Sequence, residues 1–317
     1  MISLESKIYV AGHRGMVGSA IVRALKNKGY SNLIFKSSSE LDLRNQNEVF
    51  GFFESNKPEI VIDSAARVGG ILANAEFPYQ FLMENLQIQN NLIDSSVKNQ
   101  VKKFIFLGSS CIYPKFAPQP IQEDYLLSGK LEPTNDAYAI AKIAGVRACS
   151  AVRQQFGYDY VSLMPTNLYG PFDNFDLMTS HVLPAMIRKF HEASESGHSD
   201  VILWGTGTPM REFLHVDDLA AAVVFALENR LDADLYNVGT GTDIAIKDLA
   251  LMIQKITGHM GRIIWETSKP DGTPRKLLDV SKMNNQGWEA KIPLEDGISS
   301  TYEWFLKNIK NIKEVKI

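Results

Sequence analysis

The sequence is poor in cysteine, nearly balanced in charge and without a long apolar run. It contains two cysteines, Cys111 and Cys149, and their different contexts argue against a disulfide framework. A formal net charge of −3 gives no electrostatic reason to expect nucleic-acid or anionic-membrane binding. No stretch approaches the roughly 18 apolar residues of a membrane helix, and the N-terminal residues show no basic region followed by an apolar run. We therefore expect a cytoplasmic protein with no membrane or nucleic-acid partner and no metal site.

What the chain does have is the composition and periodicity of an α/β protein. Hydrophobic residues make up 45% of it and charged residues 22%, as in an ordinary globular enzyme. Strands are predicted at 7–11, 32–36, 59–63 and 102–110, and helices after Gly18, at 46–55, at 79–98 and from 137 into the 150s. This alternation predicts a Rossmann-type, doubly wound parallel sheet with helices on both faces.

The regular alternation ends after Gly170. Residues 171–210 and 241–275 carry more Pro, Gly, His and Trp, whereas 211–241 returns to a strand and helix pattern. We predict a nucleotide-binding domain formed by residues 1–170 together with 211–241. Residues 171–210 and 242–317 are predicted to form a smaller α/β substrate-binding domain over the carboxyl ends of the strands, where open α/β sheets bind ligands.

A glycine-rich loop joins the first predicted strand to the first helix. Gly12, Gly15 and Gly18 form a G-x-x-G-x-x-G motif. Glycines at this place permit a tight turn and let backbone N–H groups approach a pyrophosphate at the start of the helix. An ordinary strand–helix turn also uses glycine, but the position of the motif in the first βαβ unit favours a dinucleotide site.

The residues around the second strand favour NADP(H) over NAD(H). NAD sites usually have an Asp or Glu at the end of this strand, where it accepts the ribose 2′-hydroxyl group. Lys36 occupies that place, serines follow at 37–39, and Arg14 lies in the glycine loop. A cation with hydroxyl groups suits a 2′-phosphate, unless both cations are simply solvated.

Tyr138 and Lys142 are the strongest catalytic candidates. They form Y-x-x-x-K in YAIAK, a spacing that places both side chains on one helix face. We expect the lysine ammonium to lower the pKa of the tyrosine, so that the phenol exchanges protons near neutral pH. Ser109, at the end of the fourth strand, is predicted to bind the substrate carbonyl beside Tyr138, although it would also serve as a turn cap.

Longer blocks of the sequence resemble a known family. The resemblance is carried by GHRGMVGSAI, LGSSCIYPK, LEPTN, YAIAKIAG, MPTNLYGP, WGTGTPMREFLHVDD and SKPDGTPRKLLDV. Together with the glycine loop, these blocks make the chain similar to the extended short-chain dehydrogenase/reductase family from end to end. Within it they resemble the bifunctional enzymes that convert GDP-4-keto-6-deoxy-D-mannose to GDP-L-fucose. The resemblance implies 3,5-epimerisation, NADPH-dependent 4-reduction and a homodimer that pairs through helices near 80–98 and 137–155.

Cys111 and His181 are the candidates for the epimerisation. Removing and returning protons beside a C4 ketone needs an acid–base pair whose pKa values lie near neutrality, and a thiol and an imidazole both qualify. Each residue alone is more often a buried or structural side chain. The resemblance implies that this cysteine and histidine carry the acid–base role.

The resemblance also implies a larger set of cofactor and substrate contacts. Some of the predicted catalytic residues belong to that set as well. The predicted catalytic residues are Ser109, Cys111, Tyr138, Lys142 and His181. The predicted cofactor contacts are Gly12, Arg14, Gly15, Met16, Val17, Gly18, Lys36, Ser38, Asp42, Leu43, Ala65, Leu107, Gly108, Ser109, Lys142, Pro165, Asn167, Leu168 and His181. The predicted GDP-sugar contacts are Asn167, Lys189, Trp204, Arg211 and Asp271.

Three other functions remain open at this point. A related GDP-4-keto sugar such as a heptose would change the pocket lining rather than the motifs, with reduction alone or with one epimerisation. A UDP-sugar 4-epimerase that retains NAD is disfavoured by the missing acid after the second strand and does not need Cys111 or His181. A non-catalytic nucleotide sensor is disfavoured because both Tyr138 and Lys142 are present.

Overall fold

The computed structural model describes residues 2–177, 179–197, 199–269 and 271–311. Its strands are β1 (Ile8–Ala11), β2 (Leu33–Ile34), β3 (Ile60–Asp63), β4 (Lys103–Leu107), β5 (Asp159–Pro165), β6 (Asn167–Tyr169), β7 (Val201–Trp204), β8 (Met210–Arg211), β9 (Phe213–His215), β10 (Leu235–Val238), β11 (Ile244–Ala245), β12 (Ile263–Glu266) and β13 (Arg275–Lys276). Its helices are α1 (Met16–Asn27), α2 (Gln46–Asn56), α3 (Ile71–Glu76), α4 (Pro78–Lys98), α5 (Asp136–Phe156), α6 (Val182–Glu195), α7 (Val216–Glu228), α8 (Ile246–Thr257), α9 (Ser281–Asn285) and α10 (Leu294–Asn308). The end of the predicted second domain, 312–317, lies outside the described residues.

The predicted elements of the first 170 residues are confirmed, and two strands are shorter than predicted. β2 ends at Ile34, and three residues later the backbone N–H of Ser37 donates to the Glu40 carboxylate at 2.8 Å, so the chain has left the sheet. β4 ends at Leu107 because Ser109 begins a short 3₁₀ turn, in which its hydroxyl accepts from the Cys111 N–H at 3.4 Å.

A six-stranded parallel sheet organises the fold. Its strand order is β2-β1-β3-β4-β5-β10. The chain runs outward from β1 to β2 and then crosses to β3 on the other side of β1, so the topological switch lies between the carboxyl ends of β1 and β3. Ligands of doubly wound sheets bind at such switch points. The predicted Rossmann-type fold is confirmed.

Alternate residues of these strands lie on opposite faces of the sheet and contribute to two apolar layers. On one face, Ile8 and Val10 of β1 pack with α1 and α7. On the other face, Tyr9 of β1 and Phe106 of β4 pack with α2, α4 and α5. Helices therefore cover both faces of the sheet, as a buried parallel sheet requires.

A third apolar cluster lies apart from the main sheet. It joins α6, α8 and α10 to β7 and β9, with Phe190 and Phe305 fully buried. Small sheets frame it: β12 pairs with β7, β6 pairs with β9, and β8 lies between β11 and β13. Leu278 and Trp288, from the chain between β13 and α10, pack instead with the layers of the main sheet. No helix within the described ranges is long and apolar enough to cross a membrane.

Candidate active site

The glycine loop after β1 has the shape that a pyrophosphate requires. Gly12 has φ +78°, and a Cβ there would lie 2.7 Å from the Ser64 carbonyl oxygen. A Cβ on Gly18 would overlap the Gly12 carbonyl, so packing of the protein itself demands both glycines. Gly15 is different, because its Cβ would meet only an ordinary 3.5 Å contact at the exposed start of α1, where no side chain caps the helix. A helix start left open in this way fits a dinucleotide phosphate.

The loop after β2 contains an acidic residue that the sequence reasoning missed. Glu40 accepts from the Ser37 hydroxyl at 2.5 Å and lies 3.7 Å from the Lys36 ammonium. The hydrogen bonds from Ser37, with smaller effects of Lys36 and Arg14, lower the pKa of Glu40 to about 2. Lys36 and Arg14 therefore face a carboxylate in this loop, while Ser38 is exposed beside them.

Most other predicted cofactor residues follow the carboxyl ends of the central strands. Ala65 lies just after β3, Leu107 ends β4 with Gly108 and Ser109 after it, and Pro165 ends β5, with Asn167 and Leu168 at the start of β6. Asn167 donates to the Glu212 carbonyl at 2.8 Å, which ties β6 to the segment between β8 and β9. Asp42 lies further out and pairs with Arg44 at 2.9 Å, next to Leu43.

Lys142 is buried beneath the end of β4, on the same helix as Tyr138. Its ammonium donates to the Leu107 carbonyl at 2.9 Å and lies 4.7 Å from the centre of the Phe106 ring and 5.9 Å from that of Tyr138. Burial lowers the pKa of Lys142, and the carboxylate of Asp63 opposes that shift. The predicted shared face of Tyr138 and Lys142 is confirmed.

The expectation that Lys142 lowers the pKa of Tyr138 is wrong for this structure. Burial raises the pKa of Tyr138, and the negative forms of Cys111 and Asp63 raise it further. Sequence spacing places the ammonium on the correct face but does not reveal how deeply the phenol is desolvated. At neutral pH Tyr138 therefore holds its proton, which suits a proton donor.

Cys111 lies beside this pair. It is buried in the 3₁₀ turn at Ser110–Ile112, and its titration is electrostatically linked to that of Tyr138 and Lys142. Burial raises the pKa of the thiol, whereas Lys276, Ser109 and Lys142 lower it. Cys149, interpreted as a core residue, is completely buried in α5.

His181 immediately precedes α6. Its side chain is exposed, yet the surrounding protein desolvates the ring and, with Lys276, lowers its pKa. The residues before it are held by Gly70, whose N–H donates to the Thr179 carbonyl at 3.1 Å. At neutral pH the structure thus has a protonated thiol at Cys111 and a neutral imidazole at His181, one group able to give a proton and one able to accept one.

Lys276 is the second residue that the sequence reasoning missed. It lies on β13 opposite Arg211 of β8, and its charge acts on Cys111, His181 and Arg211. Its neighbours are tightly fixed, because the N–H of Leu278 donates to the buried carboxylate of Glu212 at 3.0 Å. Lys276 therefore connects the two epimerisation candidates to the residues predicted to bind the GDP-sugar.

Those GDP-sugar candidates lie around β7 and β8. Arg211 is half-buried and feels the carboxylate of Asp271, whose oxygens accept from the Thr206 N–H at 2.9 Å and from its hydroxyl at 2.7 Å. Trp204 is 56% exposed, which leaves its ring available for stacking. Lys189 reaches across from α6 to the Ile202 carbonyl at 2.9 Å. Within the described ranges, no group of three His, Cys, Asp or Glu side chains is arranged to hold a metal ion.

Known proteins resemble this chain over almost its whole length. It is 55% identical over 311 residues to "GDP-L-fucose synthase 1" of Arabidopsis thaliana, covering 98% of this chain and 96% of that protein. A crystal structure of a GDP-L-fucose synthetase from Naegleria fowleri bound to NADP superposes with a TM-score of 0.91 at 29% identity, covering 99% and 96% of the two chains. A GDP-6-OMe-4-keto-L-xylo-heptose reductase from C. jejuni gives 0.90 at 40% identity, covering 97% and 99%.

The strand order, the glycine loop and the Tyr138–Lys142 pair occur together in the part of the chain that one family model covers. That model, of the NAD dependent epimerase/dehydratase family, matches residues 8–239. The chain therefore belongs to the NAD dependent epimerase/dehydratase family.

Proposed function

We propose that this chain is an NADPH-dependent enzyme that epimerises GDP-4-keto-6-deoxy-D-mannose at C3 and C5 and reduces the product at C4 to GDP-L-fucose. The observation that carries the proposal is the clustering of Cys111 with Tyr138 and Lys142 on one side and, through Lys276, with His181 on the other. A reductase alone has no use for the thiol and the imidazole. The 55% identity to the Arabidopsis thaliana synthase supports the choice of sugar.

Cys111 and His181 carry the epimerisation. At each of C3 and C5 one member of the pair removes the proton next to the C4 ketone, and the other returns a proton to the opposite face of the carbon. The enolate oxygen formed in between accepts hydrogen bonds from Ser109 and Tyr138. Each carbon loses one proton and gains one, so the sugar changes configuration without a change in oxidation state.

Tyr138 and Lys142 carry the reduction. NADPH, when bound at the glycine loop, supplies the hydride for C4. Tyr138 donates its proton to the C4 oxygen, and the raised pKa of Tyr138 keeps that proton in place until the oxygen becomes basic. Lys142 holds the ribose of the cofactor and compensates the negative charge left on Tyr138.

The GDP part of the substrate is bound by residues of β7, β8 and their neighbours. Arg211 pairs with the pyrophosphate, and Lys189 supplies a second cation from α6. Trp204 offers a flat, exposed surface for the base or ribose. Asp271 orients Arg211, and Asn167 lies at the sugar end of the cleft.

The cofactor is NADP(H) rather than NAD(H). Arg14 and Lys36 supply cations suited to a ribose 2′-phosphate, and the crystal structure of the Naegleria fowleri relative is of a form bound to NADP. Glu40 reduces the positive charge of this loop, so we expect the preference for NADPH to be real but incomplete.

The proposal is tested by incubating the protein with GDP-4-keto-6-deoxy-D-mannose and NADPH in heavy water. We expect NADPH oxidation and GDP-L-fucose that carries deuterium at both C3 and C5. Reduction without deuterium would contradict the epimerase half, and exchange without NADPH oxidation would contradict the reductase half.

A related heptose is the competing substrate, since the C. jejuni heptose reductase is 40% identical over nearly the full chain. The same assay with a GDP-4-keto-heptose separates the two proposals. A kcat/KM for the heptose above that for the 6-deoxy sugar would replace the proposed substrate while leaving the reaction class intact.

The remaining proposals concern context and assembly. We propose a cytoplasmic homodimer that pairs through α4 and α5, on which Tyr79 is 70% and Ile140 48% exposed. Light scattering tests the dimer, and Ile140→Glu is expected to yield monomers. The division into 1–170 with 211–241, and 171–210 with 242–317, stays a prediction that limited proteolysis would test.

A further inference from the structure

Asp63 is a buried carboxylate for which the proposed reaction has so far no use. It is the last residue of β3, lies between Ala11 of β1 and Phe106 of β4 in the sheet, and is 1% exposed. One of its oxygens accepts from the Ala65 N–H at 3.1 Å. The other oxygen has no hydrogen-bond partner among the described residues. A buried polar atom left in this state lowers stability and calls for an explanation.

The titratable groups on which the charge of Asp63 acts come from β1 and α5. They are Tyr9 of β1 and Tyr138, Lys142 and Cys149 of α5. Lys142 is the cation among them. Asp63 therefore lies beneath the proposed reductase pair, on the side of the sheet that α5 covers.

Lys142 is a buried cation, which needs a nearby anion to keep its proton. The groups that act on it are the Leu107 carbonyl and the Phe106 ring of β4, Cys111 of the 3₁₀ turn, Cys149 of its own helix, and Asp63. Asp63 is the carboxylate of this set. An ammonium that is 3% exposed tends to lose its proton unless an anion compensates for the lost solvation.

The pKa of Asp63 determines the pH range over which its carboxylate can stabilise the Lys142 ammonium. Burial raises its pKa to about 6, while Lys142 and the Ala65 N–H oppose the rise. Asp63 is thus ionised at neutral and alkaline pH, where a buried lysine is most inclined to become a neutral amine. The carboxylate is present over the pH range in which Lys142 requires it.

We propose that Asp63 is a positioning residue for the reduction, an internal counter-ion that keeps Lys142 protonated beside Tyr138. It acts through Lys142 and does not contact the sugar. The proposal rests on the proposed function in one respect, that reduction uses the Tyr138–Lys142 pair.

The first test compares the pH dependence of kcat for NADPH oxidation in the wild type and in Asp63→Asn. Without the counter-ion Lys142 loses its proton at lower pH, so the alkaline limb should move down by about one pH unit, with roughly a tenfold loss of kcat near pH 9. The KM for NADPH at neutral pH should stay the same. Asp63→Leu, an apolar residue with the same branched outline but a larger volume, repeats the test if the amide is poorly tolerated.

Glu123→Gln is the matched control. Glu123 is also a buried carboxylate whose pKa is raised by burial, but it accepts from the Asn237 N–H at 2.8 Å and does not act on Lys142. Its variant should keep the wild-type pH profile. A profile for Asp63→Asn that coincides with the wild type, or a loss that is uniform over pH, would overturn the proposal.

A second measurement does not depend on the substrate. Urea unfolding midpoints of Asp63→Asn, Lys142→Met and the double variant should be non-additive, with Asp63→Asn raising the midpoint more in the Lys142→Met background than in the wild type. Equal shifts in both backgrounds would contradict an electrostatic interaction between Asp63 and Lys142. If the wild type oxidises no NADPH with any GDP-4-keto sugar, the proposed function fails, and this cycle still decides the pairing.

Discussion

The cations on the cofactor side and on the substrate side of the proposed active site are compensated by negative charge in different ways. On the cofactor side, the charge of the buried Asp63 carboxylate, which belongs to the fold itself, acts on Lys142. On the substrate side, Lys276 and Arg211 lie opposite each other, and burial lowers the pKa of both.

The carboxylates that act on this second pair of cations are already engaged. Asp271 accepts from Thr206 at 2.9 Å and 2.7 Å, and Glu132 pairs with Lys115 at 3.0 Å. The difference indicates a division of tasks. In the proposed reaction, the cation that serves every turnover has a carboxylate of the fold acting on it, whereas the cations proposed to receive the substrate await an anion that arrives with the GDP-sugar.

The largest expected effect is that of Tyr138→Phe. Without the phenol proton, the C4 oxygen has no positioned donor, so kcat for NADPH oxidation should fall by roughly 10³-fold. The fluorescence of bound NADPH should show that binding is retained. Tyr138→Phe with near wild-type turnover would place the proton donor elsewhere.

The second-largest effect is on stability, and it tests Asp63, the carboxylate that acts on Lys142 in the folded protein. The pKa of Asp63 rises from 3.8 to about 6 on folding, so the folded state binds a proton that the unfolded state releases between these values. The free energy of unfolding should therefore fall by about 3 kcal/mol as pH rises from about 4 to 6, relative to Asp63→Asn. Urea titrations at each pH measure the difference. A constant difference between the two proteins would show that the folded environment does not shift this carboxyl.

Lys276→Met removes one of the two cations on the substrate side. Lys276 lowers the pKa of both Cys111 and His181, so its removal should move both limbs of the pH profile of deuterium exchange to higher pH. We also expect the KM for the GDP-sugar to rise by roughly tenfold through loss of a partly buried cation that is proposed to lie near the phosphates. Lys282→Met is the control, since this lysine of α9 donates to the Leu235 carbonyl of β10 at 2.9 Å and acts on neither Cys111 nor His181. Unchanged pH limits would remove Lys276 from the epimerisation.

The smallest expected effect is that of Glu40→Gln. Removing its charge leaves Lys36 and Arg14 free for a 2′-phosphate, so the KM for NADPH should fall by roughly twofold to threefold, and less so at high salt. The KM for NADH should not fall. Glu59→Gln is the control. Glu59 immediately precedes β3, at the end of the strand away from Asp63, so this variant should change neither constant.

What the sequence predicts well depends on neighbouring residues. The turn from β1 into α1 follows from Gly12 and Gly18, and the shared face of Tyr138 and Lys142 follows from their spacing on one helix. Asp63, Lys276 and Glu40 gain their significance only from partners on other elements. Lys276 lies opposite Arg211 because β13 pairs with β8, and its charge acts on Cys111, which is far away in the sequence. No local sequence pattern predicts either relation.

The direction of the Tyr138 pKa shift shows the same limit. Spacing predicts an adjacent ammonium and hence a lower pKa, whereas burial beneath the cleft raises it. The extent of desolvation is set by all the elements that close around the phenol. It therefore cannot be read from a five-residue motif.

In the proposed function one active site carries two kinds of chemistry: Cys111 and His181 serve the epimerisation alone, whereas Tyr138 serves both the epimerisation and the reduction. The most direct test is the exchange of solvent deuterium into C3 and C5 of GDP-4-keto-6-deoxy-D-mannose by Cys111→Ser in the absence of NADPH. A serine has no accessible proton-exchanging form near neutral pH, so exchange should slow by at least roughly 100-fold while NADPH binding stays at the wild-type level. Exchange at the wild-type rate, or an equal loss of exchange and NADPH binding, would contradict the account.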